Sequence, residues 1–349
     1  MAETIVNTWV QEMVVPPADW RARALAAGTQ DHSRWFADAP SLHQIEWGGA
    51  DVSTRHQATL RIVAWNAERL KYVEASASLL HALDPDVVLL TEVDRGMARS
   101  GNRHAMRELA DLMGMTYRYG VEFIELGLGD DQEAASNQDQ SNVDGLHGNG
   151  VLSRVAIDDA WLIRLETSGR WFDPRNTNQP RVGGRMAVAV KLALGGRDVV
   201  IVTVHLESHT DAQDRCRQIE TLVRSLETVA GQGPVVIGGD FNTKSMSRED
   251  WNDQTVRARL MTEDPNRRLF PVPHEPLFEA ARRYGYGWRQ ANAQGPTERP
   301  PPSKPPAPLG KIDWFLTRGV EVSEPAIHAA VDRDGRDLAD HEVLSVRIA

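Results

Sequence analysis

Residues 234–243 read PVVIGGDFNT, an apolar run that ends at a glycine pair and is followed by an acid and an amide. The run is short, β-branched and bounded by breaking residues, which predicts a buried strand over 235–237. If the extended conformation continues through Phe241, Asp240 and Asn242 point to one face and Phe241 points into the core. The alternative is a strand followed by an Asx-type turn. In the extended case a carboxylate and a carboxamide can address one substrate atom.

Strands alternate with amphipathic helices on both sides of this stretch, from residue 58 onward. Helical periodicity predicts helices over 73–83, 104–113, 211–229, 248–261 and 276–284. Alternation and buried runs predict further strands over 59–66, 87–92, 116–126, 160–165, 185–192, 198–205 and 311–316, and a final strand after His341. The glycine pair at 195–196 predicts a hairpin turn. This order predicts a layered α/β fold.

The chain divides into two parts by composition. Residues 58–349 carry the alternating pattern and form the expected catalytic domain. Residues 1–57 carry four tryptophans, and we expect them to form an N-terminal extension, with a short helix near 18–25, that packs on this domain. Three long loops are expected at 127–148, 168–184 and 294–310, the last stiffened by prolines.

Composition narrows the function classes. Hydrophobic residues at 41% and charged residues at 25% are values of a folded globular protein. The formal net charge of -10 gives no basic footprint, which disfavours tight sequence-independent binding to nucleic acid. The single cysteine, Cys216, excludes an internal disulfide, and its predicted helix indicates a packed thiol. The sequence has no transmembrane run and starts without a secretory pattern, so we expect a cytoplasmic protein.

Polar residues of one chemical set follow the predicted strands. Ends of neighbouring strands converge on a crevice in layered α/β proteins, so we expect these residues to share one site. Carboxylates with amide oxygens suit Mg²⁺ or Mn²⁺. Phosphate-ester hydrolysis needs such a cation, a base or orienter for water, and donors to the phosphoryl oxygens. The set comprises Asn66, Glu92, His205, Asp240 with Asn242, Asp313, and Asp340 with His341.

The pair Asp340 and His341 presents a geometric problem. An acidic partner can hold an imidazole in one tautomer and stabilise its protonated form beside a phosphoryl oxygen. Adjacent residues of a strand point to opposite faces, however. Either a turn lies between these two residues, or Asp313 is the partner of the imidazole.

Seven segments, in order, resemble the motifs of the endonuclease/exonuclease/phosphatase superfamily. The resemblance spans residues 60–349 and implies an α/β fold of two stacked sheets flanked by helices, a four-layer sandwich with the site at one edge. It also implies a hydrolase that acts on phosphate esters with a divalent metal. The segments are Trp65-Asn66, Leu90-Thr91-Glu92-Val93-Asp94, residues 148–153 (GNGVLS), Thr203-Val204-His205-Leu206, residues 238–242 (GGDFN), Ile312-Asp313-Trp314-Phe315 and Asp340-His341.

The resemblance implies a metal site in this chain. Glu92 matches the principal metal ligand of the superfamily, and Asn66 matches a residue that assists the metal. Asp340 matches a further acidic or metal-linked position. The cofactor expected from these matches is Mg²⁺ or Mn²⁺.

The resemblance also implies the catalytic residues. Asp240 matches the residue that orients or deprotonates the attacking water, and Asn242 matches one that holds the phosphate or the water. His341 matches a histidine that contacts the scissile phosphate, with Asp313 as its supporting carboxylate. His205 matches a second phosphate-contacting histidine.

Several other residues have two interpretations. Asn149 is expected to line the site by its motif, and Arg185 either clamps phosphate or faces solvent at a strand end. Residues 170–172 (RWF) either grip substrate or pack the base of a loop. Trp65 and Trp314 are expected in the core, and His147 and His209 at the surface.

The sequence therefore predicts a metal-dependent phosphoesterase that hydrolyses a phosphodiester by in-line attack of water. Its acidic charge favours a small or lipid-like organophosphate over duplex DNA. The alternative substrate is DNA or RNA, cleaved by an endo- or exonuclease. A third possibility, from a different class, is a catalytically lapsed binding module on the same scaffold.

Overall fold

The computed structural model describes residues 4–28, 31–52, 57–175, 177–299 and 309–349. In this part of the chain the α-helices are α1 (Ala18–Ala27), α2 (His32–Asp38), α3 (Val73–Leu83), α4 (Ala105–Met113), α5 (Asp131–Ser136), α6 (Ala212–Ala230), α7 (Arg248–Asn252), α8 (Gln254–Glu263) and α9 (Leu277–Arg283). Short 3-10 helices span Pro40–His43, Ala98–Ser100 and Val272–His274. No described helix is both long enough and apolar enough to span a membrane.

The strands belong to two sheets. They are β1 (Ile5–Val6), β2 (Trp9–Val10), β3 (Ile45–Gly49), β4 (Leu60–Arg69), β5 (Val87–Arg95), β6 (Thr116–Glu125), β7 (Leu146–Ser153), β8 (Asp159–Arg164), β9 (Arg181–Gly183), β10 (Met186–Leu194), β11 (Arg197–His205), β12 (Val235–Asp240), β13 (Asp313–Arg318), β14 (Val322–His328) and β15 (Val343–Ile348). The first sheet has the order β1-β8-β10-β11-β12-β13, and the second has the order β14-β15-β4-β5-β7-β6-β3-β2, with β9 paired to β6.

Each sheet has a parallel pair near its middle. These pairs are β11 with β12 in the first sheet and β4 with β5 in the second. Parallel neighbours run in the same direction, so their carboxyl ends lie at the same edge. In the first sheet this register sets His205 directly beside Asp240, and Asp240 beside Asp313 on the antiparallel strand β13.

Three apolar cores separate four layers. One lies between the two sheets and includes Leu89 of the second sheet and Val236 of the first. The second lies on the outer face of the second sheet, where helices α1, α3 and α4 pack. The third lies on the outer face of the first sheet, under α6 and α9. The predicted two-sheet α/β sandwich is therefore confirmed.

The two sheets approach closely beneath the carboxyl end of β12. A Cβ atom on Gly238 would lie 2.8 Å from Leu89 Cδ1 of the opposite sheet and 2.6 Å from Phe315 Cε1. Thr203 Oγ1 on β11 donates a hydrogen bond of 3.2 Å to the Leu90 carbonyl on β5. Glycine at 238 and this buried hydrogen bond fix the distance between the sheets near the strand ends.

The N-terminal segment contributes strands to both sheets. β1 pairs with β8 at the edge of the first sheet, and β2 and β3 extend the second sheet beside β6. A two-residue strand is too short to show alternating apolar and polar residues. The sequence therefore predicted only the helix over 18–25 in this segment. That helix is present as α1.

Most predicted elements agree with the structure to within three residues at each end. The single helix predicted over 248–261 is wrong, because Asp253 interrupts it and its side chain accepts hydrogen bonds from the first amides of α8. The loop expected over 127–148 contains α5, which starts with a capping box formed by Asp130 and Glu133. Residues 300–308 of the predicted proline-rich loop lie outside the described residues.

Candidate active site

A break in strand register shapes one side of the site. The pairing of β4 with β5 shifts after Asn66, and that of β5 with β7 shifts after Leu90. Glu92 at φ 56° and Arg69 at φ 74° both have left-handed backbone conformations. Such bulges re-aim side chains, and each left-handed non-glycine residue costs about 1–3 kcal/mol. They bring the Arg69 guanidinium into contact with the Glu92 carboxylate.

The Asn66 side chain joins the two sheets. Its Nδ2 lies 3.2 Å from Glu92 Oε1, 3.1 Å from Asp240 Oδ2 and 3.4 Å from His341 Nε2. Its Oδ1 accepts from the Glu68 amide at 3.2 Å. The amide nitrogen therefore bridges the carboxylates, and the oxygen is turned to the backbone of the bulge.

His341 pairs with Asp313. Its Nδ1 lies 2.9 and 3.1 Å from the two oxygens of Asp313, whereas its Nε2 lies 3.9 Å from Asp340 Oδ1. The Asp340 side chain is 53% exposed. Of the two partners that the sequence left open, the geometry selects Asp313. Burial disfavours the imidazolium, but the charges of Asp313 and Asp240 raise the pKa of His341 well above its usual value.

Asp240 lies between the two histidines. Its Oδ2 is 3.4 Å from His205 Nε2 and 3.8 Å from His341 Nε2. Burial raises the pKa of Asp240, but the charge of His341 outweighs it, with His205 acting in the same direction, and lowers that pKa below its ordinary value. Asp240 is therefore an ionised acceptor at neutral pH.

The segment after β12 forms the Asx turn rather than a continued strand. The Asn242 amide donates to Asp240 Oδ1 at 2.8 Å, and Asn242 has φ 49°. Its side-chain amide donates to the Leu206 carbonyl at 2.9 Å. The extended alternative is thus wrong at Asn242, although Phe241 is fully buried as predicted. The phosphate- or water-holding role of Asn242 stays a prediction.

His205 is held from behind by Arg185. Arg185 Nη1 lies 2.9 Å from His205 Nδ1, and because a guanidinium can only donate, the imidazole proton is on Nε2, facing Asp240. Arg185 is buried and also pairs with Glu122 and Glu207, at 3.2 Å each. The solvent-facing alternative for Arg185 is wrong. Its phosphate-binding role stays a prediction that these contacts do not support.

Asn149 supports the backbone of Glu92. It is fully buried, and its Oδ1 accepts from the Glu92 amide at 3.3 Å. Its Nδ2 lies 3.4 Å from the Met186 carbonyl. These contacts hold the left-handed turn that directs Glu92 to the site.

The donor set fits a hard divalent cation. The Asp240 and Glu92 carboxylates both contact Asn66 Nδ2, so they converge on one point and offer the oxygens that Mg²⁺ and Mn²⁺ prefer. Asp240, Asp313 and His341 also have ligand atoms within 4.8 Å of one another. Metal ligands must be deprotonated, and His341 is protonated between two carboxylates. A cation held at Glu92 would stay clear of that imidazolium, and the metal-ligand role of Glu92 stays a prediction.

A buried ionic network behind the site was missed by the sequence. His147 was expected at the surface, which is wrong: it is 2% exposed, and its Nδ1 donates to Asp94 Oδ1 at 2.8 Å. Burial lowers the pKa of His147 to about 4. Arg99 donates to both oxygens of Asp94, at 2.8 and 2.9 Å. Asp94 is the last residue of one motif segment and His147 directly precedes another, and these positions are the sequence signal that could have indicated the network.

The remaining aromatic assignments concern the core and the loop base. Trp65 and Trp314 are buried as predicted. Residues 170–172 pack the loop base: Trp171 is buried and donates to Glu207 at 2.9 Å. His209 is half-buried and stacks on Trp171 with ring centroids 4.1 Å apart.

Fold and site together define a two-sheet α/β sandwich with a buried acid, amide and imidazole centre at the strand ends. The model of the Endonuclease/Exonuclease/phosphatase family matches residues 63–341, and the chain belongs to this family. Members of this family are generally hydrolases of phosphate esters that use divalent metals. No curated protein matches the sequence.

Solved structures share the fold at low identity. An endonuclease/exonuclease/phosphatase from Beutenbergia cavernae is 18% identical with a TM-score of 0.52, over 84% of this chain and 72% of that one. One from Bacteroides vulgatus is 15% identical with a TM-score of 0.51, over 84% and 99%. A functionally unknown conserved protein from Enterococcus faecalis is 17% identical with a TM-score of 0.52, over 83% and 99%. At these identities the likeness is one of fold.

Proposed function

We propose that this protein is a divalent-metal-dependent phosphoesterase that hydrolyses a phosphodiester by in-line attack of water. The supporting observation is the position of Asn66 Nδ2, which lies within 3.4 Å of Glu92, Asp240 and His341. A metal-binding carboxylate, an ionised acceptor and an imidazolium around one atom can all act on one phosphorus centre. This arrangement favours an active enzyme over a lapsed binding module.

Asp240 acts on the water. Its lowered pKa keeps it ionised, so it accepts a hydrogen bond from the attacking water. It takes the proton of the water as the new P–O bond forms, while the ester P–O bond on the opposite side breaks and the leaving alkoxide takes a proton from solvent. The proton on His205 Nε2 and the Asn66 amide hold the Asp240 carboxylate from two sides. Asp240 is thereby oriented before substrate arrives.

His341 acts on the phosphoryl group. As an imidazolium backed by Asp313, it can donate from Nε2 to a phosphoryl oxygen on which negative charge develops. Glu92 would hold a divalent cation, which would supply further positive charge to those oxygens. Asp340, more exposed and near the same imidazole edge, is assigned to the outer, metal-linked side of the site.

The substrate class follows from charge. The net charge of -10 opposes the binding of polyanions, which favours a small or lipid-like organophosphate over duplex DNA. Nucleic acid is therefore the second choice of substrate, and the experiment below separates the two.

The test is a metal-supplemented screen of phosphomonoesters, an activated diester, phospholipid vesicles and oligonucleotides. We expect diester hydrolysis that requires Mg²⁺ or Mn²⁺ and falls about 10²–10⁴-fold in Asp240→Ala and His341→Ala. His328→Ala is the matched control. His328 lies on β14 at the edge of the second sheet, and its Nε2 is 2.8 Å from Ser345 Oγ on the neighbouring strand β15.

Three outcomes would change the assignment. Undiminished hydrolysis by purified His341→Ala contradicts the role of the imidazolium. Cleavage confined to oligonucleotides, with steeply salt-dependent binding, makes the protein a nuclease. No hydrolysis and no heat on titration with Mg²⁺ or Mn²⁺ makes it a lapsed binding module.

A further inference from the structure

Arg69 lies between two carboxylates at the metal side of the site. One guanidinium nitrogen contacts Glu92 Oε2, and Nε lies 3.3 Å from Glu133 Oε1. The three side chains are 15%, 19% and 14% exposed, so they are largely removed from water. Arg69 belongs to none of the motifs from which the site was predicted, and the phosphoryl chemistry above makes no use of it.

The contact of Arg69 with Glu133 is incomplete. Arg69 Nε is buried and makes no hydrogen bond, although Glu133 Oε1 is within ion-pair distance. A buried donor without a partner is costly, so a small movement of the guanidinium toward Glu133 would be favourable once its contact with Glu92 is given up. The side chain therefore has a second position available.

Glu133 is a fixed acceptor for that second position. Its Oε2 accepts from Arg99 at 2.9 Å and from the Asp130 amide at 3.0 Å, which closes the capping box of α5. Burial raises its pKa, but the charges of Arg69 and Arg99 lower it to about 2. Glu133 thus keeps its charge and its place when Arg69 moves.

A divalent cation and Arg69 compete for Glu92. A cation held by Glu92 would share that carboxylate with the Arg69 guanidinium, and two positive charges at such a distance repel strongly where water is scarce. Binding of the cation must therefore displace or weaken the contact between Arg69 and Glu92. The strength of that contact sets part of the affinity of the site.

We propose that Arg69 is the counter-charge of Glu92 in the metal-free protein and tunes its affinity for divalent cations, passing from Glu92 to Glu133 when the cation binds. The proposal rests on the assignment of Glu92 as a metal ligand under the proposed function. It makes Arg69 a positioning residue for the metal site, with Glu133 as its acceptor.

The test is calorimetric titration of Mn²⁺ into chelator-treated full-length protein. We expect Arg69→Gln to lower the Kd about tenfold, a change of ~1.4 kcal/mol. We expect Glu133→Gln to raise the Kd several-fold, because Arg69 then has only Glu92. Arg175→Gln is the control, since Arg175 is exposed and pairs with Asp173, and it should leave the Kd unchanged.

The double variant Arg69→Gln/Glu133→Gln distinguishes transfer from simple charge effects. If Glu133 acts through Arg69, its substitution changes the Kd by less than twofold once Arg69 is gone. An equal effect of Glu133→Gln in both backgrounds overturns the transfer. An unchanged or higher Kd in Arg69→Gln overturns the competition, including the case in which Arg69 instead contacts substrate and only KM changes.

Failure of the underlying metal assignment gives a different result. If wild type and Glu92→Gln bind Mn²⁺ equally, Glu92 is not a ligand and the proposed function needs another metal site. If circular dichroism finds Arg69→Gln unfolded, the titration of Glu133→Gln becomes the test. A raised Kd then supports competition between Arg69 and the cation for Glu92, and an unchanged Kd contradicts it.

Discussion

The pairing of His341 with Asp313 predicts a measurable change in titration. In Asp313→Asn the neutral amide keeps the size of the side chain but removes the charge that lies 2.9 and 3.1 Å from Nδ1. A hydrogen bond to a charged group contributes about 1.5–3 kcal/mol, which corresponds to ~1–2 pKa units. Asp313 acts in favour of the imidazolium, so its removal lowers the pKa of His341 by that amount.

The assay is NMR titration of histidine ring nitrogens labelled with ¹⁵N, together with the pH dependence of kcat/KM. We expect His341 in wild type to stay protonated well above its usual pKa and to lose its proton at lower pH in Asp313→Asn. Under the proposed function the reaction needs the imidazolium, so we expect the alkaline limb of the rate profile to move to lower pH by the same amount.

Asp340→Asn is the matched control for this titration. Asp340 lies 3.9 Å from the other ring nitrogen and is 53% exposed, so water screens most of its charge. Its removal should change the pKa of His341 by less than about 0.7 unit, the equivalent of a surface ion pair of ~1 kcal/mol. Equal titration of His341 in wild type and Asp313→Asn, or a larger shift in Asp340→Asn, would refute the reasoning.

Three further predictions concern stability. Asn66→Asp replaces a hydrogen-bond donor with a carboxylate 3.1–3.2 Å from Glu92 and Asp240. We expect the free energy of unfolding of the metal-free protein in urea to fall by about 3–6 kcal/mol, and Mn²⁺ to restore part of this loss. An unchanged unfolding midpoint would contradict the bridging role of Asn66. Burial lowers the pKa of His147 in the folded protein to about 4, so between pH 6.5 and 4 the unfolded chain binds a proton that the folded protein does not. The free energy of unfolding therefore falls by about 3 kcal/mol as the pH falls through this range. Urea unfolding of His147→Asn at each pH should lack this fall, and the same pH dependence in variant and wild type would exclude His147 as its source. Divalent cation at 100 times its Kd should stabilise wild type by about 2.7 kcal/mol in thermal unfolding, and chelator or Glu92→Gln should abolish this gain; an equal gain in Glu92→Gln would remove Glu92 from the metal site.

Much of the fold could be predicted because buried strands and amphipathic helices leave periodic patterns. The helix Val73–Leu83 and the hairpin around 195–196 are examples. The N-terminal strands could not be predicted, since Ile5–Val6 and Trp9–Val10 are too short to show alternation. The division of the helix at Asp253 depends on a side-chain cap that competes with helix propensity.

The convergence of the site could be predicted from strand ends, but its internal geometry could not. Sequence leaves the choice between Asp313 and Asp340 open, because it depends on how the two sheets stack, which sets His341 before β15 against Asp313 at the start of β13. Arg69 reaches Glu92 only through two bulges, which have no periodic signature. His147 was misjudged because a polar neighbourhood in sequence concealed the buried partner Asp94.

Gly238 gives the site a mechanical dependence on the spacing of the sheets. Glu92 is carried by one sheet and Asp240 by the other, and a Cβ atom on Gly238 would lie 2.8 Å from Leu89 Cδ1 and 2.6 Å from Phe315 Cε1. A side chain at 238 would collide with Leu89 of the opposite sheet. Moving the sheets apart to relieve this collision would separate the two carboxylates. The gap between them is therefore set two residues upstream of Asp240, by a position that bears no chemical group of its own.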